Sequence, residues 1–328
     1  MKAIRVHSAG GPEHLRYEDV PDPTPGAGQL LLRVEAAGVN FIEVYQRTGL
    51  YKMPLPATPG AEAAGTVLAV GEGVRDWRVG DAVATVDAQG SYAERALVAA
   101  DRAVAIPPGL DAKRSAAVML QGMTAHYLAT STCPLREGDT CLVHAAAGGV
   151  GLLLVQIAKL RGARVIGTVS NAAKEKLARE AGADEVVLYS ERNFVAEVKR
   201  VTHGAGVRVV YDSVGRTTFD DSLACLAPRG MMVLFGQSSG PVPPFDPQIL
   251  NARGSLFLTR PKLQNYTATR AELLERAGEV LGWVRDGGLR DRIWREFPLA
   301  QADDAHRALE SRATTGKLLL VPAEAGAA

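Results

Sequence analysis

The sequence predicts an α/β protein in which a doubly wound parallel sheet is inserted into a β-rich outer domain. Three observations predict it. The stretch from Thr140 to Lys159 reads as strand, glycine turn and helix. Strand and helix patterns alternate from about residue 123 to 260, the signature of a parallel sheet covered by helices on both faces. The segments on either side are rich in short strands, and the one after 260 is too small to stand alone. The expected division is therefore 1–122 with 261–328 as the outer domain and 123–260 as the insert.

The first observation carries the chemistry. Cys141 to Val143 is a short apolar run, Ala146-Ala147-Gly148-Gly149-Val150-Gly151 a tight turn, and Leu152 onward an apolar helix broken by Gln156 and Lys159. Ala146, Gly148 and Gly151 stand at the three positions of a G-x-G-x-x-G fingerprint, with alanine at the first. Gly148 lets backbone approach a pyrophosphate, and Gly151 lets the helix pack closely on the strand. Gly149 and Val150 open the helix, whose free N–H groups and dipole favour an anion. A glycine turn alone is a weak signal. The strand before it and the helix after it make this one a dinucleotide site.

In the outer domain, strands are expected at Lys2–His7, Leu15–Val20, Gln29–Ala36, Gly65–Val70, Ala82–Val86 and Tyr92–Val98, punctuated by glycine, proline and aspartate. A helix is expected at Phe41–Arg47 after Gly38-Val39-Asn40, and another at Ala112–Met119 behind a capping Asp111. The insert then reads as helix Thr124–Ser131, strand Thr140–His144, helix Val150–Arg161, strand Arg164–Val169 and helix Ala172–Ala181. Strand Glu185–Leu188, helix Asn193–Val201, strand Arg208–Asp212, helix Thr218–Leu226 and strands Met231–Phe235 and Ser255–Leu258 complete it. A long helix Arg270–Asp286, strand Ile293–Phe297, helix Ala302–Glu310 and strand Lys317–Val321 return to the outer domain. The tail EAGAA is expected to be disordered.

Composition narrows the class. The chain has 328 residues, 47% hydrophobic and 22% charged, with a net charge of +1. That is a globular protein with room for two domains. Near-neutral charge gives no electrostatic case for nucleic acid or a membrane surface. No apolar run approaches the ~20 residues of a spanning helix, and the N-terminus lacks a signal-peptide core. The expected location is cytoplasmic. The three cysteines, Cys133, Cys141 and Cys225, show neither disulfide nor zinc-ribbon spacing.

The cofactor is read at the end of the second strand of the insert. NAD sites place a carboxylate there, about 20 residues after the fingerprint, for the ribose 2′-hydroxyl. Here Ser170-Asn171-Ala172-Ala173-Lys174 follows the strand, without a carboxylate. Ser170 can donate to a 2′-phosphate and Lys174 supplies positive charge, which favours NADPH over NADH. Tyr189, Ser213 and the loop Gly236-Gln237-Ser238-Ser239 end the third, fourth and fifth strands, where ligands of such sheets gather.

These residues resemble the medium-chain dehydrogenase/reductase superfamily, in its zinc-less quinone oxidoreductase (zeta-crystallin-like) branch. The resemblance covers nearly the whole chain. It is carried by Gly11-Pro12-Glu13, Gly38-Val39-Asn40-Phe41-Ile42, Gly60-Ala61-Glu62-Ala63-Ala64-Gly65, Gly80-Asp81-Ala82-Val83 and Gly138-Asp139, and by the fingerprint with Gln156 and Lys159. It implies a GroES-like catalytic outer domain and a Rossmann NADP-binding insert. It also implies no metal. Where zinc-dependent members of the superfamily carry ligands, this chain has Asn40, Ala61 and, in the third region, Leu120. The structural zinc lobe is replaced by the short link from Thr85 to Gly90.

The resemblance further implies roles. Asn40, Phe41 and Ile42 would face the nicotinamide, with Thr124 near the domain junction. Gly148 to Gly151 would hold the pyrophosphate, and Ser170, Lys174 and Tyr189 would surround the adenosine phosphate. Ser213, Gly236 to Ser239 and Arg312 would complete the site. The implied reaction is hydride transfer from NADPH to a quinone in the cleft between domains. Such a substrate needs little Lewis-acid help, because its charge spreads over both oxygens. Asn40 and Tyr45 are the candidate catalytic donors, since they lie on the segment where zinc enzymes place a ligand. Reduction of activated C=C bonds in enones or enals is the neighbouring chemistry, and an NADPH-binding structural or RNA-binding role is the reading of another class. The expected assembly is a homodimer.

Overall fold

In the computed structural model, residues 1–323 are described. They form two compact units: Met1–Leu120 with the C-terminal segment from Thr269, and Gln121–Ala268.

The outer unit begins with β1 (Lys2–Arg5) and β2 (Arg16–Asp19), an antiparallel pair. β3 (Gln29–Val39) follows and ends at Asn40, the N-cap of α1 (Phe41–Arg47). Asn40 and Glu43 close a capping box there, so the helix starts where the local chemistry satisfies its free N–H groups. β4 (Ala63–Val70), β5 (Ala82–Thr85), β6 (Arg95–Ala99) and β7 (Val104–Ala105) lead to α2 (Ala112–Tyr127).

The inserted unit contains β8 (Thr140–Val143), α3 (Gly149–Leu160), β9 (Arg164–Val169), α4 (Ala172–Glu180), β10 (Glu185–Leu188), α5 (Phe194–Val201), β11 (Val207–Asp212), α6 (Phe219–Ala224), β12 (Leu226–Leu234), α7 (Gln248–Ala252) and β13 (Phe257–Thr259). Its six strands are all parallel, in the order β10-β9-β8-β11-β12-β13. The order reverses at β8, which has β9 on one side and β11 on the other. Doubly wound sheets bind ligands at the strand ends beside such a switch point. The core beneath it includes Leu142, Ile166, Val187, Val210 and Met232.

α8 (Arg270–Arg285), β14 (Ile293–Pro298), α9 (Ala302–Glu310) and β15 (Lys317–Val321) belong to the outer unit. β15 pairs with both β14 and β3, so the chain's last strand extends the N-terminal sheet. Ala36, Ala37, Val39, Leu318 and Leu320 are buried in this region.

Most elements agree with the sequence within a residue or two, but β3 runs on to Val39 rather than ending at Ala36, β12 begins at Leu226 rather than Met231, and β7 and α7 have no counterpart in the sequence reading. The helices expected at Ala112–Met119 and Thr124–Ser131 are one helix, α2, which then widens into a π turn over Leu128–Thr132. Gly122 lies inside this helix, where one glycine costs only about 1 kcal/mol, and the nearby Met119 and Met123 are fully buried. The helix expected to reach Leu226 stops at Ala224, because Leu226 pairs with Val207 as the first residue of β12. The strand expected from Tyr92 begins at Arg95, and Ala93 bridges to Ala3 of β1 instead. The tail at 324–328 lies outside the described residues.

Candidate active site

The glycine turn joins β8 to α3 as its spacing requires. Ala145 adopts a left-handed φ of 50°, and the Gly148 N–H closes the turn on the Ala145 carbonyl at 2.8 Å. Gly148 is the N-cap of α3. A Cβ on Gly149 would fall on the Gln121 side-chain amide, and one on Gly151 on the backbone of Ala145 and Ala146. The turn is thus a close-fitting cradle of bare backbone under a helix N-terminus, which suits a pyrophosphate. Val150 lies in its first turn.

A buried chain of hydrogen bonds ties this turn to the neighbouring strand ends. Ser222 Oγ donates to Asp212 Oδ2 at 3.1 Å, so it accepts from His144 Nε2 at 2.9 Å. His144 Nδ1 then accepts from Thr168 Oγ1 at 2.8 Å. Burial lowers the His144 pKa, in keeping with a neutral ring. Asp212 Oδ1 also accepts from the N–H groups of Val214 and Gly215. The ends of β8, β9 and β11 are therefore held in one arrangement.

Ser170, Lys174 and Tyr189 come together at the ends of β9 and β10. Asn171 caps α4 by accepting from the Lys174 N–H at 3.0 Å, which sets Lys174 on the first turn. The Tyr189 N–H donates to Val169 and the Ser190 hydroxyl to the Ser170 carbonyl, so the two strand ends are laced together. Tyr189 is half exposed, and partial burial lowers the Lys174 pKa. On the other side of the switch point, Ser213 and the Gly236-Gln237-Ser238-Ser239 loop interlock. Ser238 N–H donates to the Ser213 carbonyl at 3.1 Å, and a Cβ on Gly236 would meet Ser213. Ser239 Oγ is turned to the Val214 carbonyl at 2.7 Å. Thr124 lies buried on α2.

Asn40, Phe41, Ile42 and Tyr45 belong to the outer unit, on α1 and its cap. Asn40 is buried. Its Nδ2 donates to Glu62 Oε2 at 2.9 Å, and its Oδ1 accepts from Lys317 Nζ at 2.6 Å. Lys317 also pairs directly with Glu62, and the Leu120 N–H donates to Glu62 Oε1 at 2.6 Å. Glu43 is fully buried beside them. Loss of hydration pushes its carboxyl up to about 8, and its Oε1 has no hydrogen-bond partner. Phe41 and Tyr45 form an aromatic row with Tyr51, with ring centroids 6.0 Å and 5.3 Å apart in turn. Arg312 follows α9 in a left-handed conformation, φ 59°, and is exposed.

Two family descriptions match the chain: the alcohol dehydrogenase GroES-like domain over 26–108 and the zinc-binding dehydrogenase over 149–275. The quinone oxidoreductase of Pseudomonas aeruginosa is 45% identical over 323 residues, spanning 98% of this chain and 99% of its own. The chain belongs to the quinone oxidoreductase branch of the medium-chain dehydrogenase/reductase superfamily. The crystal structure of Escherichia coli quinone oxidoreductase complexed with NADPH, at 43% identity, superposes with a TM-score of 0.96 and covers 98% of this chain and all of that one. A 2-haloacrylate reductase from Burkholderia is 41% identical over 331 residues, 98% of this chain and 99% of its own.

One family description carries the word zinc, and the residues of this quinone oxidoreductase homologue do not fit that metal. Asn40 offers an amide, Ala61 no donor and Leu120 only a backbone N–H, and the Glu62 carboxylate already faces the Lys317 ammonium. Among the described residues no group of three or more His, Cys, Asp or Glu is placed to hold a metal ion. No helix among them is long and apolar enough to cross a membrane.

Sequence reading missed Lys317, Glu43, Tyr51, Gln121 and the His144–Asp212 chain. The local signal that could have found one of them is the three-residue spacing of Asn40 and Glu43, that of a capping box.

Proposed function

We propose that this chain reduces quinones with NADPH and without a metal ion. The observation that carries the reading is the aromatic row Phe41, Tyr45 and Tyr51 on and after α1, a surface that suits a flat conjugated ring. When bound, NADPH supplies the hydride. Gly148, Gly149, Val150 and Gly151 hold the pyrophosphate. Ser170, Lys174 and Tyr189 hold the 2′-phosphate, and the missing carboxylate after β9 leaves room for its charge. On the inserted unit, Thr124, Ser213, Gly236, Gln237, Ser238 and Ser239 are the remaining proposed cofactor contacts; on the outer unit they are Asn40, Phe41, Ile42 and Arg312. The NADPH in the Escherichia coli relative supports this assignment.

Asn40 and Tyr45 divide the remaining work. The Asn40 amide is turned to Glu62 and Lys317, so its part is to fix the start of α1. The Tyr45 phenol is the donor to the quinone oxygen on which charge develops. The Tyr45 hydroxyl donates a hydrogen bond only, and water supplies the single proton that completes the hydroquinone after hydride transfer.

Reduction of an activated C=C bond is the second reading, and the similarity to a 2-haloacrylate reductase favours it specifically. Steady-state rates of NADPH oxidation with 1,4-benzoquinone and with a 2-alkenal separate the two. A faster benzoquinone rate supports the first reading; equal or faster alkenal turnover replaces it with the second. We also propose a cytoplasmic homodimer joined at the edge of the six-stranded sheet. There β13 is the terminal strand and Phe257 is 57% exposed.

A further inference from the structure

We propose that Lys317 is a positioning residue for this reaction, holding the Asn40 amide and the first turn of α1 in the geometry that presents Phe41 and Tyr45. The proposal rests on the reading above that α1 faces the reacting ring.

Lys317 opens β15, and its side chain is 1% exposed while that of Glu62 is 0% exposed. A lysine this deeply buried is rare unless paired. Its ammonium meets two oxygens, Asn40 Oδ1 and Glu62 Oε2. Glu62 in turn receives Asn40 Nδ2 on the same oxygen and the Leu120 N–H on the other. The Asn40 amide therefore has one allowed orientation. Turned over, it would set its NH2 against the ammonium and its carbonyl against the carboxylate.

The packing around the pair leaves no slack. A Cβ on Gly38 would fall on the Glu62 carboxylate and on the Lys317 stem, so the ion pair lies directly on backbone two residues before the helix cap. The Asn40 N–H is also taken, donating to Glu43 Oε2 at 2.9 Å. Lys317 and Asn40 are 277 positions apart in the chain, so the last strand of the fold sets the first turn of its first helix. Burying an ion pair is weak evidence for stability, because desolvation offsets the attraction. What this pair supplies beyond stability is a fixed direction for one amide and one helix start.

The test uses the full-length protein as wild type, Lys317→Met, Glu62→Gln and the double variant. The readouts are kcat and KM for 1,4-benzoquinone, NADPH affinity by fluorescence, the urea midpoint, and amide hydrogen exchange across residues 40–47. Displacing a positioned group by ~1 Å can cost up to about 100-fold in rate. The expected result for Lys317→Met is a fall in kcat of at least ~10-fold, with NADPH affinity within about twofold of wild type. The double variant, which leaves no unpaired charge, should regain much of the urea midpoint without regaining kcat. If kcat returns with the midpoint, or never falls, the pair is only structural and the proposal is overturned. If Lys317→Met does not fold, the double variant alone carries the comparison with wild type. If wild type reduces neither benzoquinone nor an alkenal, the functional reading fails separately. Exchange over 40–47 then decides: faster exchange in the double variant upholds positioning, and unchanged exchange overturns it.

Discussion

Lys317 and Glu62 form an ion pair in which both side chains are withdrawn from solvent, one on β15 and the other just before β4. Removing one partner strands a charge where water cannot reach it. Lys317→Met and Glu62→Gln should each destabilise the fold by about 3–5 kcal/mol, and the double variant by much less than the sum. Equilibrium urea unfolding of the four proteins measures this directly. Additive losses would show that the two groups do not interact.

Glu43 gives the outer unit a pH dependence of defined sign. Its folded pKa of about 8 lies above the ordinary 4.5 because burial penalises the charged form. Between those values the unfolded chain has lost this proton and the folded chain keeps it. Stability therefore falls as pH rises, by up to about 1.4 kcal/mol per pH unit for one proton. His306 acts oppositely. Burial, with Arg47 beside it, lowers its pKa from 6.5 to about 3, so it contributes a stability loss as pH drops below 6.5. The buried His144 shifts in the same direction as His306. The Glu43 effect is thus cleanest from pH 6.5 to 8. Glu43→Gln should flatten the thermal midpoint over that window relative to wild type, and an unchanged slope would contradict the assignment.

Gly151 offers a test of the cofactor cradle. A Cβ there meets backbone at Ala145 and Ala146, which cannot move aside as a flexible side chain can. Gly151→Ala should lower NADPH affinity by ~10-fold or more, since α3 must shift away from the turn it caps. Fluorescence titration reads the change. Gly204→Ala is the control for general damage, because a Cβ there meets nothing, although its φ of 83° adds strain of its own.

Much of this was legible from local patterns. α1 is Phe41–Arg47 as expected from its place after Gly38-Val39-Asn40, while the capping box that Glu43 closes with Asn40 was not read. β9, β10 and β15 have the bounds that their apolar runs and flanking turns imply. The helices read at Ala112–Met119 and Thr124–Ser131 are one, because buried neighbours such as Met119 and Met123 hold it together across the gap. Asn40 stood out in the sequence, but the orientation of its amide is set by Lys317, 277 positions away. Glu62 was visible within a motif, whereas its partner was not. A buried lysine looks like a surface lysine until the strand carrying it is paired.

Lys174 and Ser170 predict cofactor preference. NADPH should bind at least ~10-fold more tightly than NADH, and Lys174→Ala should erase most of that gap by removing one charge–phosphate contact. Equal binding of both cofactors to wild type would make Ser170 and Lys174 ordinary residues of a helix start.

The exposed β13 edge predicts the assembly. Light scattering should give twice the chain mass, and Phe257→Lys should shift it toward the monomer by placing charge at the sheet edge. A monomer mass for wild type would remove the homodimer.

NADPH-dependent quinone reduction by this chain, as proposed, needs no metal. The most direct measurement is the rate of NADPH oxidation with 1,4-benzoquinone by protein dialysed against a strong chelator, with bound metal quantified on the same sample. The expected rate is unchanged from that of the untreated protein. A rate lost with the metal and restored by added Zn²⁺ would contradict it.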